Sequence, residues 1–118
     1  MPKLSLISNV KPTDVGAFVL EFQKFAGALL KKPESHMATS FEYQQHLCFA
    51  GTFEPAFLLT VGSLGNINPE NNIAFSKAFF EYLGRTLGVP DDRGYVSFND
   101  AGRANIGFKS TTMAELLK

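Results

Sequence analysis

The chain has 118 residues, 45% of them apolar, and eleven basic residues balance eleven acidic ones. That length supports a single domain spanning residues 1–118 with one core, and the apolar content excludes a disordered chain. The even charge, with no block of one sign and no basic stripe interleaved with aromatics, argues against nucleic acid and anionic membrane as partners.

Lys3 belongs to the opening Met1-Pro2-Lys3, and Leu4 to Ser8 then alternates as a short strand. An initiator Met before a small residue is normally trimmed, so Pro2 is the expected mature N-terminus, a secondary amine at the head of a strand. The opening lacks the apolar stretch of a signal peptide, and no apolar run reaches the ~18 residues of a membrane span. Cytoplasmic synthesis without membrane insertion is expected, with any export by another route.

Asn9 to Asp14 is a polar loop containing Pro12. Thr13 is a candidate N-cap, and Asp14 suits the positive end of a helix. Val15, Phe18, Val19, Phe22, Phe25, Ala26, Leu29 and Leu30 then follow the period of an amphipathic helix. Lys31 and Lys32 are expected in its last turn, where cations are favoured, and Pro33 stops it. Met37 to Tyr43 is a second strand. In the following connection Cys48 is the only cysteine, which excludes an intrachain disulfide, a redox CxxC pair and a cysteine-based zinc site. Cys48 is expected as a small core residue.

Ala56 to Val61 is nearly continuous apolar, as in a strand buried on both faces. Asn68-Pro69-Glu70 is a strong helix start. Ile73, Phe75, Ala78, Phe79, Tyr82, Leu83 and Leu87 form its apolar side, and Gly88 ends it. Tyr95 to Phe98 is a further strand. After a turn at Asp100 to Arg103, Ile106 to Phe108 and the tail look like short strand pieces. Twelve Phe and no Trp predict a large, aromatic-rich core. His36 and His46 have no carboxylate at helical spacing, so no metal site is expected.

Pro33, Ser40 and Phe41 recur at one constant offset as Pro90, Ser97 and Phe98. Each set follows a helix that itself follows a strand, so the chain reads β-α-β twice. The fold class is therefore α/β (α+β): a four-stranded mixed sheet with two helices on one face. The other face has no cover from this chain. The strands read as apolar on both faces, as at Ala56 to Val61, so a sheet exposing that face would be insoluble, and closed oligomerisation with sheets packed inward is implied.

The residues resemble the macrophage migration inhibitory factor and D-dopachrome tautomerase family. The resemblance is carried by Met1-Pro2 opening a strand that ends in Asn9-Val10, Lys32-Pro33 closing the first helix, Phe49-Ala50-Gly51-Thr52, Ser63-Leu64-Gly65, Pro90-Asp91-Asp92-Arg93, and Asn105-Ile106-Gly107-Phe108. It spans essentially the whole chain, through order and spacing rather than any single specific motif.

The resemblance implies a homotrimer and a cofactor-free, metal-free keto–enol tautomerase acting on small aromatic α-keto acids such as phenylpyruvate or on dopachrome-like compounds. Pro2 is the implied general acid/base. Such a base must be neutral near pH 7, and burial and a nearby ammonium both lower an amine's pKa. Lys32 is the implied carboxylate-binding residue, with Lys31 as its local competitor and helix-end charge complementarity as its alternative role. The resemblance places Leu64 beside the substrate carboxylate, brings Tyr95 from a neighbouring subunit, and puts Ile106, Phe108 and Met113 on the pocket wall.

The chain departs from the best-known members at Ser97, where they carry Asn, at His36 on the rim, where many carry Tyr, and at Phe108, which replaces an indole. Ala56 to Leu59 replaces the Cys-x-x-Cys of some members, so their thiol chemistry does not carry over. The family also implies an alternative role as a secreted cytokine-like protein that leaves cells without a signal peptide and binds a cell-surface receptor. A decarboxylase or dehalogenase of the wider superfamily would need pocket Arg and Glu residues that do not appear at matching places.

Overall fold

Alternation sets the first strand. Residues Lys3–Ser8 form β1, with Leu4, Leu6 and Ser8 buried and Ser5 and Ile7 only partly so. The computed structural model describes residues 1–118.

Helix α1, Val15–Leu30, starts at Asp14, whose carboxylate accepts from the Ala17 amide at 3.0 Å. Asp14 is thus the cap, not Thr13, in keeping with the stronger capping preference of Asp. Phe22, Ala26, Gly27 and Leu30 form its buried side. The helix ends at Leu30. Lys31 turns left-handed (φ 57°), and the Lys31 and Lys32 amides both donate to the Gly27 carbonyl. The two lysines therefore lie past the last turn rather than in it.

A 3-10 turn at Glu34–His36 then ties the Met37 amide to the Glu34 carbonyl. For that reason strand β2 is Ala38–Tyr43, one residue shorter than expected. Strand β3 is Phe57–Gly62. Helix α2, Pro69–Leu87, is capped by Asn68, which accepts from the Asn71 amide at 2.8 Å, and it ends at Gly88 (φ 71°). Phe75, Phe79, Tyr82, Leu83 and Leu87 are buried, but Ile73 is 74% exposed. Six residues before Phe79 places Ile73 roughly 120° around the helix from it. Strand β4 is Gly94–Asn99.

The sheet order is β2-β1-β3-β4. Strands β1 and β2 are parallel, β3 and β4 are parallel, and the two units meet through antiparallel β1 and β3. Both helices pack on one sheet face, in a core that joins Leu4, Leu6, Phe57, Leu59 and Val61 to Phe22, Phe79 and Leu83. Its aromatic content is as expected: Phe22 lies 6.0 Å from Phe79, and Phe25 stacks on Tyr82 at 4.2 Å.

The uncovered face differs from expectation. In β3, Phe57, Leu59 and Val61 are buried, whereas Thr60 is exposed and Leu58 partly so. Beside Ile7, Leu58 and Tyr95, this face carries Ser5, Ser40, Glu42, Thr60, Ser97 and Asn99, as the strand registers require. It is mixed and largely polar, not a second apolar surface.

Cys48 is exposed rather than buried. Its loop is held by polar clamps on backbone carbonyls and by Phe49, which packs on Tyr95, rather than by Cys48. Asn9 Nδ2 donates to Leu47, Phe53 and Glu54, and the Arg93 guanidinium to Phe49, Glu54 and Pro55. The tail forms a small hairpin of β5 (Gly107–Phe108) and β6 (Thr111–Thr112), then a single helical turn, α3 (Met113–Leu116), where strand pieces alone were expected.

Gly94 pairs with Phe57, and a Cβ there would sit 2.4 Å from the ring. Phe57 is fully buried. Gly94→Ala should cost about 1–3 kcal/mol by overpacking. Urea denaturation would read this as a lower midpoint with an unchanged slope.

Candidate functional site

The site is built on the start of the chain. Pro2 is fully buried, and its carbonyl accepts from the Ala38 amide at 3.1 Å, which extends the β1–β2 ladder back to the second residue. The terminal amine on Met1 is thereby held at the end of the sheet. Burial and, after it, the Lys32 charge hold this amine below its ordinary value of 8.0. Both act against the protonated form, as the chemistry of a neutral base requires.

Lys32 reaches this region because the helix stops before it. Its Nζ donates to the Leu64 carbonyl at 3.0 Å. Leu64 is buried in the turn after β3, which Gly65 closes with φ 87°. Lys31, the local competitor, is exposed, and no effect of it on the amine is found. Of the two lysines, Lys32 is the one that acts on the amine.

Met1 lies between two cavities. One, of about 240 Å³, is lined by Met1, Ser35, His36, Met37, Phe108 and Met113 among others. The other, of about 260 Å³, is lined by Met1, Lys3, Ser63, Leu64, Asn99, Asn105 and Ile106 among others. Pro2, Lys32, Leu64, His36, Ile106, Phe108 and Met113 are therefore gathered around the chain's start. A larger depression of about 600 Å³ lies between the helices and shares no residue with either cavity.

Tyr95 and Ser97 are not part of that cluster. Both are exposed on the uncovered face of β4. In register, Lys3 lies across from Gly62 and Gly62 from Asn99. Tyr95 is thus four residues further along, roughly 13 Å from that level. It packs instead on Phe49, with centroids 5.2 Å apart. Within one chain these two side chains do not meet Pro2.

Two residues near the amine have no site role in the sequence reading, although Ser63 belongs to the Ser63-Leu64-Gly65 motif and Asp100 to a turn. Ser63 is 3% exposed, and its hydroxyl has no hydrogen-bond partner in the protein. Asp100 accepts from the Gly65 amide at 2.9 Å and the Gly102 amide at 3.0 Å. These amides, then Lys32 and Arg103, hold its carboxyl below the usual range. In sequence Asp100 is one of the polar residues of a turn, and nothing there tells a clamp from a solvated residue. No three His, Cys, Asp or Glu side chains come together as a metal site.

A twice-repeated β-α-β protein, with its N-terminal amine partly desolvated beside a lysine, is a well-defined class. The sequence profile of the family described as macrophage migration inhibitory factor (MIF) matches residues 1–114. The chain belongs to the macrophage migration inhibitory factor family. It is 34% identical over 113 residues to a macrophage migration inhibitory factor homolog of Trichinella spiralis, covering 95% of this chain and 99% of that protein. The solved structure of the factor from Trichinella spiralis superposes with a TM-score of 0.86 at 33% identity, covering 93% of this chain and 98% of that one. That of a homologue from Prochlorococcus marinus gives 0.85 at 25% identity, over 94% and 98%.

Lys32→Gln removes a positive charge that disfavours the protonated amine, so the amine's pKa should rise toward its ordinary value. Burial, the larger cause, remains, and the rise should be incomplete. An NMR pH titration of the terminal amine checks both the direction and the incompleteness.

Proposed function

We propose that the protein is a cofactor-independent keto–enol tautomerase of small aromatic α-keto acids or dopachrome-like compounds, with Pro2 as general acid/base once Met1 is removed. The observation that carries this reading is the partly desolvated terminal amine, its pKa lowered by burial and by Lys32, between two cavities that both border Met1. Trimming Met1 leaves a secondary amine at Pro2 and opens the space Met1 fills. The neutral amine takes a proton from one end of the keto–enol system and returns one to the other, so no electron carrier is needed.

Lys32 pairs with the substrate carboxylate beside the Leu64 backbone, in exchange for its present bond to the Leu64 carbonyl. His36, Ile106, Phe108 and Met113 wall the ring-binding side. Residues 1–118 act as one domain, and three copies form the working unit, with Tyr95 and Ser97 supplied by a neighbour. This reading agrees with the exposure of both residues away from their own Pro2.

A second reading, extracellular signalling through a cell-surface receptor after export without a signal peptide, is favoured by the relative at 34% identity, a macrophage migration inhibitory factor homolog. Pure trimer should then alter migration of cells bearing the receptor, and Pro2→Gly trimer should do so equally. An inert trimer would remove this reading.

For the enzyme, Met1-free protein should ketonise phenylpyruvate, with kcat/KM rising with pH through the amine pKa to a plateau. Pro2→Gly should lose on the order of 10²–10⁴-fold. Protein retaining Met1 should be comparably inactive, because its Pro2 nitrogen is an amide. An unchanged rate in Pro2→Gly would reject the mechanism. Sedimentation should give three times the mass of one chain.

A further inference from the structure

Tyr95 is 67% exposed on the uncovered face of β4, an outer strand of the sheet. An exposed strand side chain has a choice of rotamers. Two groups border this one. Leu58 lies across from it in register on β3, and the Phe49 ring packs on it, with centroids 5.2 Å apart and planes at 43°. Phe49 comes from the loop between β2 and β3, far from β4 in sequence. Its contact with Tyr95 is therefore made by the fold and not by neighbouring positions.

The Phe49 backbone is held from several sides. Phe49 and Thr52 exchange both backbone hydrogen bonds, at 2.9 and 3.1 Å, across a two-residue turn. Ala50 (φ 51°) and Gly51 (φ 80°) are both left-handed there, the geometry of a type I′ turn, which Ala50 adopts against the steric preference of an L residue. The Phe49 carbonyl also accepts from Thr52 Oγ1 at 3.4 Å and from the Arg93 guanidinium at 3.2 Å.

Arg93 sits just before β4 and reaches back over the same loop. Its other donors bond the Pro55 carbonyl at 2.9 Å and the Glu54 carbonyl at 3.0 Å, and its Cζ lies 5.4 Å from the centre of the Phe49 ring. No carboxylate pairs with it, since the one ion pair of the chain joins Lys118 to Glu115. The planar fork is spent wholly on this loop, as its geometry allows. One residue at the foot of β4 thus fixes the ring that meets Tyr95 on the same strand.

We propose that Phe49 is a positioning residue for Tyr95: its ring, fixed by the Ala50-Gly51 turn and by Arg93, confines the Tyr95 ring and so places the hydroxyl that one copy supplies to the site of the next. The destination of the hydroxyl rests on the tautomerase reading and its three-copy unit. Confinement of the ring belongs to each chain and is measured without turnover.

The test uses Met1-free protein. Phe49→Ala should raise KM for phenylpyruvate roughly 2–10-fold, the worth of one neutral hydrogen bond, with kcat little changed. Tyr95→Phe should raise it by a similar factor. The double variant should do no more than Tyr95→Phe alone, because a residue that acts through the Tyr95 hydroxyl has nothing to act on once it is gone. Phe49→Tyr keeps a ring and should return KM toward wild type. With only three tyrosines in the chain, 13C relaxation of labelled tyrosine rings resolves Tyr95. Its order should fall in Phe49→Ala and in Arg93→Lys, which keeps the charge and loses the fork, while Tyr82 in the core stays unchanged.

Factors that multiply in the double variant would mark Phe49 as a general support of the fold and overturn the assignment. So would a Tyr95 ring as ordered in Phe49→Ala as in wild type, or an unchanged KM in Tyr95→Phe. If Phe49→Ala does not fold, Phe49→Leu takes its place in the cycle, and failure of both would reduce Phe49 to a packing residue and overturn it too. If wild type shows no tautomerase activity, the enzymatic reading fails, while the relaxation data still decide whether Phe49 orders Tyr95.

Discussion

The hydrogen bond from the Ala38 amide to the Pro2 carbonyl is the constraint on which the site depends. Chain termini ordinarily fray, because few contacts offset the entropy of ordering them. Here the parallel ladder between β1 and β2 runs one step past Lys3, and burial of Pro2 follows from it. An amine fixed at the end of a sheet can be desolvated and can hold a constant distance from a charge. A mobile amine would sample water and recover its ordinary pKa. The chemistry proposed for Pro2 is thus a consequence of strand pairing before it is a consequence of any neighbouring side chain.

The position of Lys32 is decided by a competition whose magnitudes are known. Interaction of a lysine with a helix C-terminus is worth about 0.3–1 kcal/mol. A hydrogen bond from a charged donor is worth about 1.5–3 kcal/mol. The left-handed turn at Lys31 ends the helix early and lets Lys32 take the stronger option at the Leu64 carbonyl. A non-glycine residue in that conformation costs about 1–2 kcal/mol, which the double acceptance by the Gly27 carbonyl and the Lys32 contact together offset. Gly27 leaves little room there, since a Cβ would lie 3.1 Å from Met37 Sδ and 3.2 Å from the Lys32 carbonyl oxygen, so both neighbours would have to give by a few tenths of an ångström.

Much of the fold was legible because its signals are local and periodic. The stripe from Val15 to Leu30 and the Asn68-Pro69 start with Gly88 stop marked both helices, and the recurrence of Pro33 and Ser40 at Pro90 and Ser97 gave the pseudo-symmetric sheet. The misreadings occur where a non-local partner decides. Cys48 looked like a core residue, yet Asn9 and Arg93 hold its loop by the backbone, with no call on its side chain. Asp100 was one residue of a turn, because its partner Gly65 is 35 positions away. Lys32 and Pro2 came from resemblance: a lysine after a helix and a proline after Met are each common, and only the folded sheet brings them together.

The uncovered face changes the reason for expecting association. An apolar face would drive it through the hydrophobic effect, but Ser5, Ser40, Thr60, Ser97 and Asn99 make that face tolerable in water. The free edges are less tolerable. β2 and β4 are the outer strands of the sheet, and each leaves one row of backbone donors and acceptors without a partner in the chain. Pairing those edges with other copies would satisfy the backbone and remove a template for disordered aggregation. It would also bring β4, with Tyr95 and Ser97 on its exposed side, against a neighbouring chain. In that arrangement one of the two edges that need covering carries the residues that the proposed site at Pro2 lacks within its own chain.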